Sequence, residues 1–174
     1  FWDSGKQFSN NSTNVIYAGR ALQSGAAVFW KVKVYTNKGE SKWSDVASWT
    51  MGLLHYKDWT GRWIGFDQYF LSDNEQTGQL AARYFRKEFT TTKQIKQATA
   101  YVMGLGLYEL YIDGKKIGDQ VLAPVPTDYT KNIKYNVLDV TKSLSAGKHA
   151  LGVILGNGRF YAMRQAKPYK VKTF

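Results

Sequence analysis

The feature that most constrains this chain is the period of its apolar residues: it is two wherever a pattern persists, and no window sustains the i, i+3, i+4, i+7 spacing of an amphipathic helix. Alternation by two sends successive side chains to opposite faces, so such a run suits a half-buried strand. Over residues 29–35, Trp30, Val32 and Val34 take one face and Lys31 and Lys33 the other, with Asn37-Lys38-Gly39 supplying a turn. Residues 14–18 and 48–51 read as partners, so three or four strands fit residues 1–53. Residues 52–65 carry Trp59 and Trp63 among polar neighbours and read as a linker, followed by a loop rich in Ser, Asp, Asn, Gly and Gln over 67–79. A second β unit starts near Leu80, with strands predicted at 84–90, 99–103, 107–112, 136–140 and 148–155 and one helical turn at 141–144. Asp113-Gly114 between β-rich flanks is a two-residue hairpin signal, because both positions demand positive φ. Tyr108, Leu110 and Ile112 form the apolar face of the strand before it. The expected class is all-β, in two antiparallel units.

Composition then removes several functional classes. With no cysteine there is no disulfide scaffold and no Cys-ligated metal. A hydrophobic share of 44% separates the chain from disordered polycations despite its net charge of +11. The longest apolar runs, such as 150–155, fall far short of the roughly 20 residues of a membrane-spanning helix, and no membrane partner is expected. The chain opens on Phe-Trp-Asp without a Met or a leader pattern, so its compartment is not legible from this end. Asp139 is the last acid, and Lys142, Lys148, Arg159, Arg164, Lys167, Lys170 and Lys172 follow it. Basic residues interleaved with Phe160, Tyr161 and Tyr169 resemble a single-strand nucleic-acid groove, while a solvated tail is the simpler account of them. No recognition motif accompanies the charge, so nucleic acid is not the expected partner, and a basic nucleic-acid-binding β domain stays only as a further alternative.

Catalytic signatures are sparse. His55 and His149 are far apart and lack the spacing of a metal site. Leu155-Gly156-Asn157-Gly158 and Gly104-Leu105-Gly106 each match part of a dinucleotide loop but lack the following helix, and read as a tight turn and a bend. Glycoside hydrolysis needs only two carboxylates across a sugar, and thirteen are present. Asp113 is explained by its turn, Asp45 and Asp139 by loop or strand-end roles, and Glu88 and Glu109 by strand faces.

An ordered set of motifs carries a resemblance. Residues 82–89 (Ala-Arg-Tyr-Phe-Arg-Lys-Glu-Phe), 101–119 around Tyr108-Glu109-Leu110-Tyr111-Ile112-Asp113-Gly114, Leu122-Ala123-Pro124, Thr127-Asp128-Tyr129, Asp139-Val140-Thr141 and 155–161 together resemble the N-terminal accessory domain of bacterial α-L-rhamnosidases. Upstream, Phe1-Trp2-Asp3-Ser4-Gly5-Lys6, residues 15–19, residues 29–34 and Ser41-Lys42-Trp43-Ser44 resemble the fibronectin-III/Ig-like module that precedes it, and Trp59 to Gly65 resembles the connecting segment. The resemblance implies a partial fibronectin-III/Ig-like sandwich over 1–53, a linker and loop over 54–80, and the first part of a jelly-roll-like accessory sandwich over 81–174. Phe1 would fall inside the first sandwich and Phe174 about halfway through the second, so both ends are expected to be cuts. In the family, catalysis belongs to a large (α/α)₆ barrel further along the chain, which inverts the anomeric centre of terminal L-rhamnose. The resemblance therefore implies a non-catalytic region with no catalytic residues of its own, whose partner is the barrel of the same parent chain. The alternative is a module that binds rhamnose-containing carbohydrate. Some relatives of the second domain grip L-rhamnose through Ca²⁺ and an Asp-Asn pair, to which Asp119-Gln120 is the nearest match here. Asn157, Arg159 and Tyr161 are the second choice for sugar contacts. Gln places its amide oxygen on a longer arm, which weighs against Ca²⁺, and Asp119 could equally cap the turn after Gly118. The family favours a periplasmic or extracellular setting, with the cytoplasm as the alternative.

Overall fold

A computed structural model of the chain describes residues 2–66, 68, 70, 73 and 80–160. Tyr161 and the basic residues Arg164, Lys167, Lys170 and Lys172 lie outside the described residues. The chain is all-β and antiparallel, and divides into two compact units, Phe1–Arg62 and Trp63–Phe174.

In the first unit β1 (Ala27–Trp30) pairs with β4 (Ala47–Thr50), and β2 (Tyr35–Thr36) pairs with β3 (Gly39–Glu40) in the hairpin that encloses the expected turn. The single strand expected over 29–35 is thus split. Between Trp30 and Tyr35 serine hydroxyls bridge the ladder: Val32 N–H donates to Ser44 Oγ and Val34 N–H to Ser41 Oγ, both at 3.0 Å. The backbone N–H groups of Ser44 and Ser41 return bonds to the carbonyls of Val32 and Val34 at 2.8 and 2.9 Å. No strand forms over 14–18, which corrects the expectation there. Asn14 takes a left-handed φ of 59° that ends any extended run, and the Tyr17 ring packs edge-on against Trp2 at 5.1 Å. The face of Trp30, Val32 and Val34 is not the buried side of a half-buried strand either, since these residues are 44, 49 and 58% exposed. A short 3₁₀ turn, Tyr56–Asp58, follows, and the Asp58 carboxylate accepts the Ser24 hydroxyl and the His55 N–H.

The second unit holds the core. A four-stranded sheet has the order β5 (Arg83–Thr91), β10 (Gly147–Gly156), β7 (Leu107–Ile112), β8 (Lys115–Lys116), and a separate pair joins β6 (Thr99–Val102) to β9 (Asn136–Asp139). On β7 the predicted alternation is realised, with Tyr108, Leu110 and Ile112 only 6, 3 and 3% exposed. The register places Leu155, Val153 and Leu151 beside them, and Phe85 and Phe89 of β5 continue the same face. Each such apolar side chain removed from water contributes about 1.5–3 kcal/mol. Val140 and Pro124 are buried as well. Asp113 and Gly114 have φ of 51° and 77°, the left-handed pair the hairpin signal requires. Thr141–Ser143 is a 3₁₀ turn, and Asp139 Oδ1 accepts the Thr141 N–H at 2.9 Å, its expected strand-end role.

Arg83 ties the loop before β5 to the sheet. Its guanidinium donates to both Asp73 oxygens, at 3.2 and 2.7 Å, and to the Ala81 carbonyl at 2.8 Å, while lying over the Phe70 ring at 4.7 Å. Asp73 also accepts the Phe70 and Ala81 N–H groups, and these bonds, Arg83 first, hold its carboxyl well below the usual carboxylate range. The Arg-Tyr-Phe start of β5 carried no sign of this partner, which lies ten residues upstream.

Candidate functional site

The residues singled out from the sequence fall in two places on the second unit. Asp119 and Gln120 follow Gly118, whose φ of 76° makes the bend after β8. Asp119 is exposed and makes no hydrogen bond with a described residue, while Gln120 Oε1 accepts from Asn136 Nδ2 at the start of β9. One bond thus already engages the Gln120 oxygen, and among the described residues no group of three His, Cys, Asp or Glu gathers around the pair.

Arg159 belongs elsewhere. It lines an open cleft of about 430 Å³ with Pro126, Thr127 and Asp128. Two close turns position that rim. The Gly106 φ is 142°, and a Cβ there would fall 2.2 Å from the Gly156 carbonyl; one on Gly158, φ 51°, would fall 2.9 Å from Gly106 and Leu107. Only glycines let the bend before β7 and the turn after β10 interlock, which places Asn157 and Arg159 just past the end of β10. The motif at 104–106 and the Gly-Asn-Gly motif are accordingly the bend and tight turn expected of them.

The opposite wall is a folded loop. Asp128 Oδ1 accepts the Thr130 N–H at 3.1 Å and its hydroxyl at 2.6 Å, and Oδ2 lies 3.3 Å from Lys131 Nζ. The Asp128 carbonyl receives the N–H groups of Lys131 and Asn132, and the Thr127 hydroxyl donates to the Asn132 carbonyl at 2.6 Å. These bonds, led by the Thr130 hydroxyl, lower the Asp128 carboxyl pKa and keep it charged. Tyr129 packs edge-on against Phe160 at 5.4 Å, and its burial raises the phenol pKa. The cleft therefore presents a carboxylate, a guanidinium and a hydroxyl around an open space, a donor and acceptor set able to engage sugar hydroxyls. Sequence reading quoted Thr127-Asp128-Tyr129 as a motif but did not nominate Asp128 for contact. Its Asp-x-Thr spacing, which makes an Asx turn, was the available signal.

Residues 93–174 match the family profile described as "Alpha-L-rhamnosidase N-terminal domain", and residues 1–55 match "Rha78A-like, N-terminal immunoglobulin domain". An α-L-rhamnosidase of Formosa agariphila is 39% identical over 176 residues, an alignment covering 92% of this chain and 18% of the relative. Among solved structures, the α-L-rhamnosidase from Dictyoglumus thermophilum superposes with a TM-score of 0.81 at 42% identity, covering 91% of this chain and 19% of that one. The Aspergillus terreus α-L-rhamnosidase superposes with a TM-score of 0.67 at 31% identity, covering 81% and 16%. The chain thus spans less than a fifth of the length of these relatives.

Proposed function

Since the chain belongs to the α-L-rhamnosidase family, to whose N-terminal immunoglobulin-like and accessory domains it corresponds, we propose that it is the non-catalytic accessory β region of an enzyme that hydrolyses terminal α-L-rhamnose, bracing the (α/α)₆ barrel of the same parent chain. We assign residues 1–53 to the immunoglobulin-like module, 54–80 to the connector and 81–174 to the accessory sandwich.

The observation that carries this reading is the match of residues 1–55 and 93–174 to two N-terminal domain profiles of the family, and the described carboxylates agree with it. A glycosidase needs one carboxylic acid held protonated near neutral pH opposite a second carboxylate. Among the described residues, Asp58, Asp73, Glu109, Asp113, Asp128 and Asp139 have shifted pKa values, and all six are lowered by hydrogen bonds that serve turns, strand ends or ion pairs. The purified chain should therefore release no nitrophenol from an aryl α-L-rhamnoside, whereas the full-length parent should. Turnover by this chain alone would refute the reading.

The cleft favours a second reading, a rhamnose-containing carbohydrate held at Arg159 and Asn157 with Asp128 opposite; Tyr161, which follows them in the sequence, is kept as a third candidate contact. Asp119 and Gln120 form the competing proposal. Calorimetric titration with L-rhamnose separates the two: heat abolished by Arg159→Ala supports the cleft, and Ca²⁺-dependent heat abolished by Asp119→Ala supports the pair. No heat in the wild type leaves bracing alone.

A further inference from the structure

The hairpin of the first unit carries an unusual arrangement of charge. Lys31, Lys33 and Tyr35 alternate onto one face, and Trp43 lies on the returning arm. Lys31 and Lys33 place their ammonium groups 4.7 and 5.5 Å from the Trp43 ring centroid. Lys33 and Lys6 do the same over Tyr35, at 5.6 and 4.7 Å, and Lys6 also lies 5.3 Å from Phe8. Three cations and three rings thus form one continuous ladder, Phe8, Lys6, Tyr35, Lys33, Trp43, Lys31, all within the first unit.

Ring quadrupoles attract each ammonium, yet Tyr35 and Trp43 each bring two like charges together. Among the described residues only Glu40 pairs directly with these lysines, 3.1 Å from Lys33. A cluster held in place with excess positive charge gains most from a ligand carrying several anions at intervals, because each anion relieves repulsion already built into the protein. Tyr35 and Trp43 are 45 and 50% exposed, so the strip is open to solvent. Ring faces engaged by ammonium groups are poor platforms for stacked nucleobases, which are a principal source of single-strand affinity.

We propose that this lysine–aromatic ladder is a docking strip for an acidic polysaccharide, a glycan bearing carboxylate or sulfate groups. The choice of a glycan among polyanions rests on the family reading given above; the charge argument does not. Affinity electrophoresis of the full chain, at low and moderate salt, in gels containing polygalacturonate, dextran sulfate or neutral dextran tests it. One or both acidic polymers should retard the chain, neutral dextran should not, and added salt should weaken the effect. Exposed ion pairs each contribute a few-fold at most, so the triple variant K6Q/K31Q/K33Q should bind about tenfold more weakly. A charge-matched control, K93Q/K96Q/K142Q, should lose far less, with circular dichroism confirming that both variants fold. Equal weakening of both variants would reduce the attraction to diffuse charge and overturn the proposal, as would absence of retardation. Tighter binding of oligo(dT) at the same salt, with the same dependence on the ladder lysines, would replace the glycan by nucleic acid. Polygalacturonate and dextran sulfate contain no rhamnose, so failure here and failure of the rhamnosidase reading are separate results.

Discussion

His149 lies 7% exposed at the start of β10, between Phe89 and the Asp113 turn. Nδ1 is 2.7 Å from Asp113 Oδ2, and Nε2 is 2.9 Å from the Ser145 carbonyl and 3.3 Å from the Ser145 nitrogen, so the protonated ring donates to Asp113 and the carbonyl, while the neutral ring donates at Nδ1 and accepts the Ser145 N–H. The Asp113 bond first, and the Ser145 carbonyl second, raise the imidazole pKa above its ordinary value. Asp113 is lowered, first by His149 and then by the Ala150 N–H that it accepts at 2.7 Å. A raised histidine stabilises fully below its unfolded pKa of about 6.5 and loses that contribution as pH rises through the folded value; a lowered aspartate stabilises above about 3.9 and loses it as pH falls through its own folded value. The pair should therefore contribute fully between about pH 4 and 6.5. Asp113→Asn retains a residue that tolerates the left-handed φ of 51° but removes the charge. Melting temperatures measured from pH 5 to 9 should fall more steeply above pH 6.5 in the wild type than in this variant. Parallel profiles would show that the pair does not titrate as described. The sequence showed the turn role of Asp113 because turn chemistry is local, but His149 lies 36 residues away and only the sheet brings the two together.

At the scale of the element, β7 is where pattern and packing agree. Its even positions, Tyr108, Leu110 and Ile112, face the core, and Glu109 and Tyr111 face outward, where Glu109 accepts from the Tyr111 hydroxyl at 2.6 Å and from Lys116. Burial pushes the Tyr108 phenol up to about 12. Truncating Leu110 to Ala removes a side chain 3% exposed and should cost about 2–5 kcal/mol in urea denaturation of the second unit. Tyr84→Ala, on the outer face of the neighbouring strand pair and 76% exposed, should stay within about 0.5 kcal/mol. Similar losses for the two variants would mean that the assigned inner and outer faces are wrong. The hairpin of the first unit shows the limit of the same reasoning. Its alternation at Lys31 and Lys33 correctly separated two faces, yet the strand itself is interrupted and its apolar face stays exposed. Periodicity says which side chains share a face, and it does not say whether another layer covers that face.

For the whole molecule, the chain's own residues determined that it is all-β, that a turn closes at Asp113-Gly114, and that the core of the second unit runs along β7, because alternation, β-turn stereochemistry and apolar content act over a few residues. The ordered motifs also pointed to the family, to whose members this chain is similar over nine-tenths of its length. Only the tertiary structure decided which distant groups come together: Arg159 and Asp128 lining one cleft, Gln120 bonded to Asn136, Arg83 to Asp73, and two lysines over Trp43. Each pairing joins residues separated along the chain, and for Arg159 the placement depends on the register of β10 and β7 and on the interlocked glycines 106 and 158. Both are set by the closure of the sheet as a unit, and a linear sequence expresses neither in any local pattern.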